Sequence, residues 1–430
     1  MKNKKETLLI LTILITICII IFNRDKLYEA KYIEPKDTLL AITIDGEIST
    51  TFPTTKMYTG TVECTSGSGK VDWNGTKWIL TTSGITKGST KCNATFIARK
   101  PTTLAETILA NNEEKNPITT PGAAISTADE ALLASTEDDY GTSYYFRGAV
   151  TNNYVEFANK CWRIVRIGGD GSVKLILHND NTKKVANPCD AANNSSNAAF
   201  ARYSGETYES AFNANYNDNA YVGFKFGTVG SSTYEATHAN TNNSTILTNL
   251  ETWYTNNLKD YADKIADTEW CNDKTNVTDT TFNPYDYSNV NGYGYGTNVT
   301  YYGATQRLVS KSNSAGGTGP SLKCNGNLSK ITSKVGLITA DELAYAGYAY
   351  AQNNTTTYLQ ENATDTYWWS LSPGDFDGSR AGVWDVNGSI GGFSYSRVYF
   401  TSGVRPSISL KPSTNVTGNG SSESPYKISM

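Results

Sequence analysis

Lys2, Lys4 and Lys5 stand ahead of an apolar run from Leu8 to Phe22 that is interrupted only by Thr12, Thr16 and Cys18. A positively charged start followed by an apolar segment is the pattern of an export signal. It constrains everything after it, because an exported chain folds where cysteines oxidise. No small-x-small cleavage site follows the run, since Phe22-Asn23-Arg24-Asp25 comes directly after it. Residues 1–23 therefore read as an uncleaved anchor in the membrane with the body outside. A cleaved signal peptide is the rival, and the run is shorter than the ~20 residues that usually span a bilayer. Cys18 lacks the small preceding residues of a lipidation site and reads as a membrane-facing apolar residue.

Beyond this segment lie six cysteines: Cys64, Cys92, Cys161, Cys189, Cys271 and Cys324. Six cysteines allow fifteen pairings, and none of these has the C-x-x-C spacing of a zinc or redox site. Proximity along the chain favours Cys64 with Cys92, Cys161 with Cys189, and Cys271 with Cys324. Free buried thiols are the alternative.

A chain of 430 residues exceeds what one hydrophobic core usually organises, so two globular units are expected. Its 37 basic and 41 acidic residues nearly cancel. No basic stripe stands out, which excludes nucleic acid as a partner. Tyr, Asn, Thr, Ser and Gly are abundant, favouring an α+β, β-rich fold with polar loops. With two histidines, imidazole chemistry has few candidates.

Residues 37–100 read as a small immunoglobulin-like β-sandwich acting as a spacer. Leu40 to Ile44 alternates in part, Asp45-Gly46 suits a hairpin turn, and Lys77 to Thr81 and Ala94 to Ala98 are later strands. A Cys64–Cys92 bridge would staple its two layers, with Trp73 and Trp78 filling the core between them. Residues 101–138 are expected to be a flexible linker, with a helical turn at Leu104 to Ala110 and a short helix at Ala128 to Ala134 capped by Thr127.

The body spans residues 139–412. Its first clear unit is a hairpin whose apolar strands meet across Gly168-Gly169-Asp170-Gly171, the first strand covered on both faces. Ser244 to Leu258 has helical periodicity, and Ala262 to Trp270 continues it or forms a second helix. A strand from Lys334 leads into a helix capped at Thr339, with Asp341 and Glu342 in its first turn. In the aromatic stretch Trp368 to Leu410, strands Val383 to Val386 and Ser389 to Phe393 flank Asn387-Gly388, and Ser407 to Leu410 is the last strand. Residues 413–430 read as a tail.

IDGEISTTFP, WNGTKW and ITKGSTKCNATF resemble the N-terminal module of a group of uncharacterised exported surface proteins from low-GC Gram-positive gut bacteria. YYFRGAVTNNYVEFANKCWRIVRI, IADTEWCND, KVGLITADELAYAG, YWWSLSP and GVRPSISLK match the same group in order, over nearly all of Gly141 to Ile428. No activity comes with that resemblance. The Trp-Ser-Leu-Ser-Pro and Gly-Val-Arg-Pro elements are also similar to the C-terminal parts of bacterial C-type-lectin-like modules, including phage tropism determinants. That likeness implies a compact mixed α/β body presenting loops over a small twisted sheet.

Asp375 and Asp377, in Asp-Phe-Asp-Gly-Ser, resemble part of a calcium loop but lack its remaining ligands, so a plain polar turn is the stronger reading. The Glu-Pro-Asn or Gln-Pro-Asp sugar motif of C-type lectins is missing, and calcium-bridged sugar binding is not implied. His178 and His238 have no nucleophile-elbow signature nearby and read as structural. Arg405 reads as a structural residue closing the last strand. Asp341, Glu342, Asp375, Asp377 and Asp385 are the carboxylates available for a hydrolase.

Aromatic display remains. Phe376, Trp384, Tyr395, Arg397 and Tyr399 are the expected ligand-binding residues, with Trp368 and Trp384 also candidates for the core and Phe376, Tyr395 and Tyr399 favoured for exposure. The expected function is binding or adhesion at the cell surface, directed at a glycan or a protein. The alternatives are an envelope hydrolase and a structural surface protein without a discrete ligand.

Overall fold

The structure is a computed structural model that describes residues 39–74 and 77–428. The anchor segment lies outside the described residues. Among these, no helix is long and apolar enough to cross a membrane. The chain divides between Pro101 and Thr102 into two compact units, both dominated by strands, with a few short helices in the second.

In the first unit, Tyr58–Cys64 alternates half-buried with exposed residues along its whole length, the period of a strand with one covered face. It pairs antiparallel with Lys91–Ala98, which in turn pairs in parallel with Leu39–Ile44. Glu47–Ser49 completes a four-stranded sheet. A hairpin of Ser68–Trp73 and Trp78–Ser83 packs on this sheet. Gly60 and Gly69 permit the close approach: a Cβ at Gly60 would lie 2.4 Å from Val71, and one at Gly69 2.4 Å from Val62. The core is small, with Ile42, Val71, Trp78, Ala94 and Phe96 at its centre and Trp73 packed against it.

Cys64 and Cys92 are disulfide-bonded, as expected. They are directly opposite one another on neighbouring strands of one sheet. The bridge therefore pins strand register and does not tie two layers together.

In the second unit the expected hairpin forms. Lys160–Ile167 pairs with Val173–Asn179 across the Gly168–Ser172 turn, and nearly every residue of both strands is buried. Tyr154–Phe157 joins through a tight turn at Ala158 and Asn159, both at positive φ. Ser407–Leu410, with the expected bounds, pairs on the other side.

The linker expectation fails for 102–138. Leu104–Asn111 is a helix closed by a capping box between Thr103 and Glu106, and Leu104 and Ile108 are buried in the main core. Ala131–Asp138 is a strand, not a helix, paired over its length with Gly141–Gly148. The Arg147 guanidinium, buried opposite Glu130 at 2.9 Å, also donates to the carbonyls of Ala344 and Tyr345. Thr119 bonds both partners of that pair. Once a buried ion pair depends on residues 118–130, those residues cannot remain loose.

Residues 413–428 are no tail either. Tyr426–Ile428 adds to the sheet in parallel with Tyr154–Phe157, and Tyr426 is fully buried.

A second sheet runs Glu209–Ala211, Thr401–Gly403, Tyr367–Phe376, Ala381–Asn387 and Gly392–Arg397, with Thr300–Tyr301 beside the end of Tyr367–Phe376. Asn387 stays in its strand opposite Gly392, so the turn is Gly388–Gly391, with Gly391 at φ +63°. Thr245–Asn257 is the expected helix, capped by Ser244 and burying Ile246, Leu247, Leu250 and Trp253. The stretch after it is not helical: Lys259–Tyr261 is a single tight turn and Thr268–Cys271 a strand. Ala340–Ala346 is the expected helix with a Thr339–Glu342 capping box. The two remaining disulfides, Cys161–Cys189 and Cys271–Cys324, also match expectation.

Candidate functional site

The aromatic stretch occupies the middle of the second sheet, and its position there decides which side chains meet solvent. Tyr367–Phe376 has partners along both edges and Ala381–Asn387 follows it. Trp368, Trp369, Phe376 and Trp384 are consequently fully buried. The indole N–H of Trp384 donates to the Thr305 hydroxyl at 3.2 Å, and that of Trp369 to the Ser210 carbonyl at 2.8 Å. Phe376 and Trp384 are thus core residues and not part of a ligand-binding surface.

Tyr395 and Arg397 belong to a closed polar network. The Arg397 guanidinium contacts Asp375 at 2.7 Å and Asp377 at 3.0 Å. The Tyr287 hydroxyl donates to Asp375 at 2.7 Å and lies 3.2 Å from the Tyr395 hydroxyl. Arg380 holds the outer side of Asp377 at 3.2 Å. Burial pushes the Asp375 carboxyl up to about 6, even though Arg397 and Tyr287 pull it down. Tyr285 closes over the Tyr395 ring at 5.0 Å.

Two guanidiniums already neutralise Asp375 and Asp377, whereas calcium needs six to eight oxygen ligands. Among the described residues, no group of three or more His, Cys, Asp or Glu is placed to hold a metal.

Tyr399 has a different setting. It is half-buried between Tyr216, at a ring distance of 4.5 Å, and Phe400, at 4.6 Å. Tyr216 is 41% exposed and Phe400 50%. The three rings form a continuous aromatic face at the turn between Gly392–Arg397 and Thr401–Gly403. Main-chain hydrogen bonds hold it from both sides: Phe400 N–H to the Arg397 carbonyl, and Ala381 N–H to the Tyr216 carbonyl. Phe400 was findable as the neighbour of Tyr399. Tyr216 sits in the polar run Asn213-Ala-Asn-Tyr-Asn-Asp218, and only the fold brings it there.

The other carboxylates are engaged or sealed. Arg307 grips Asp341 through two nitrogens, at 2.7 and 2.8 Å, and reaches Asp273 at 2.7 Å. Glu342 meets Lys174 at 2.6 Å and Arg166 at 2.8 Å. Burial alone would raise its carboxyl, but those two cations outweigh it and hold the value down at about 2. Asp385 is 1% exposed.

Both histidines are fully buried. Burial and the adjacent Lys274 push His238 down to about 3, and burial with Arg163 and Arg405 keeps His178 well below its usual value. Arg405 donates to the carbonyls of Leu177 and Leu359, which fits a structural residue.

These features define a β-rich, disulfide-bonded chain of two units, with an aromatic face on the second. Comparison with family models, curated proteins and solved structures gives no match to this chain.

Proposed function

We propose that this protein is an exported binding protein, held at the cell surface by its N-terminal segment, whose C-type-lectin-like body recognises a glycan. The observation that carries the reading is the face made by Tyr216, Tyr399 and Phe400. Three contiguous rings with two phenolic hydroxyls pair apolar surface with hydrogen-bonding handles, the combination that suits the faces and edges of a sugar ring. Contiguous exposed apolar surface of sufficient size marks interaction sites. The three disulfides favour an oxidising compartment.

The hydrolase alternative has less support. Asp341, Glu342, Asp375 and Asp377 are all held by cations, whereas glycoside hydrolysis needs two carboxyls facing the scissile bond.

A glycan array probed with the full chain tests the proposal. Selective binding is expected, insensitive to a calcium chelator. Tyr399→Ala and Phe400→Ala should each weaken it about tenfold, ~1.4 kcal/mol. Selective binding that neither substitution alters would move the site away from these rings. A blank array would remove the glycan reading and leave a protein ligand.

A further inference from the structure

We propose a second binding site, for a ligand that carries an ammonium group on a hydroxylated or amide frame, in the charged cleft between the Gly168–Ser172 turn and the Thr268–Cys271 strand. The cleft has a volume of about 340 Å³, at the small end of ligand sites. It suits one sugar or one amino-acid side chain.

The floor is electrically balanced. Arg166 pairs with Asp138 at 2.9 Å and with Glu342, and Lys174 pairs with Glu342. The rim is not balanced. Asp170, Asp267 and Glu269 line it. Asp267 meets Lys334 at 2.8 Å and Glu269 meets Lys330 at 3.4 Å. Asp170 accepts from the Ser172 N–H and hydroxyl, at 2.9 and 2.7 Å, and is in no ion pair among the described residues, the nearby Arg166 being committed to Asp138 and Glu342. The free charge at the mouth is therefore negative, which favours a cationic ligand.

A second observation is independent of charge. Ser409, 1% exposed, stands opposite Lys174 on the neighbouring strand and lines the cleft. Its hydroxyl has no hydrogen-bond partner in the protein, and neither does that of Thr268, which also lines the cleft. Buried hydroxyls are normally bonded, and leaving one unmade destabilises the fold. A ligand seated in the cleft would supply partners to both. The Lys174 ammonium, with a single side-chain acceptor in Glu342, has further N–H groups for the same ligand.

An amino sugar and a lysine side chain share this chemistry, and titration of the full chain distinguishes them. Glucosamine, N-acetylglucosamine and N-acetyl-lysine amide are titrated by calorimetry. Saturable binding of glucosamine is expected, at least tenfold tighter than that of its uncharged N-acetyl counterpart. Tighter binding of the lysine compound would keep the ammonium site and assign it to a peptide ligand. Asp170→Asn should weaken binding about tenfold. Ser409→Ala should weaken it several-fold while leaving the melting temperature of the unliganded protein unchanged or higher, an outcome a purely structural serine would not give. Tyr399→Ala should have no effect, which separates this site from the aromatic face. Equal affinity for charged and neutral sugars, no binding by either amine, or full affinity in both cleft variants would overturn the proposal.

Discussion

Asp385 carries a carboxyl into the middle of the Ala381–Asn387 strand, where its neighbours across the sheet are Trp369 and Ser394. Its Oδ2 has no hydrogen-bond partner. Burial pushes the group up to about 7, against a weaker pull from the Ser396 hydroxyl. In the unfolded chain the same group ionises near pH 4. Between those values the native state holds a proton that the unfolded state has lost, so stability declines as pH rises from about 4 to 7 and then levels off. Asp385→Asn keeps the site neutral throughout. It should match the parent near pH 4 and exceed it by about 4 kcal/mol at pH 8, as measured by urea unfolding at both values. A variant no more stable at pH 8 would mean that the carboxyl is solvated. Residue chemistry was legible in the sequence here, and residue exposure was not. Nothing in Val-Trp-Asp-Val marks the aspartate as buried, and nothing in Asp-Phe-Asp marks the phenylalanine as core.

At the scale of elements, local signals were most readable where a helix or turn carries its own terminators. Ser244 and Thr339 cap helices that begin one residue later, because their side chains satisfy main-chain N–H groups within a few residues. Ala131–Asp138 misled because Ala and Leu favour helices, and only pairing with Gly141–Gly148 makes the segment a strand. The segment before it is held by the Glu130–Arg147 pair, both side chains fully buried. Glu130→Ala leaves that guanidinium uncompensated in the interior and should cost about 3–5 kcal/mol in denaturant unfolding. A loss below 1 kcal/mol would show that residues 118–130 do not depend on the pair.

For the whole molecule, the two units have separate cores, and the smaller depends more on its cross-link. The first unit centres on five buried apolar residues, a core too modest to supply much stability by itself. Calorimetry should resolve two transitions, and Cys64→Ser with Cys92→Ser should lower the first by about 2–4 kcal/mol while leaving the second in place. Alkylation of the denatured, unreduced chain should label only Cys18 of the seven cysteines. Labelling of any other would contradict the three bridges.

What the sequence determined by itself follows from short-range chemistry. The export-type start, the six cysteines paired by proximity, the β-rich class, the capped helices and the Gly168–Ser172 hairpin all depend on residues close in the chain. The tertiary structure decided what depends on distant neighbours. It absorbed residues 102–138 and 413–428 into the second unit, because a sheet edge and a buried ion pair needed them. It turned Phe376 and Trp384 inward and neutralised Asp375 and Asp377 with guanidiniums. It brought Tyr216 beside Tyr399, and set Ser409 and Thr268, unpartnered, in the wall of a charged cleft. Burial and charge pairing are properties of surroundings, and the surroundings of these residues come from chain up to hundreds of residues away.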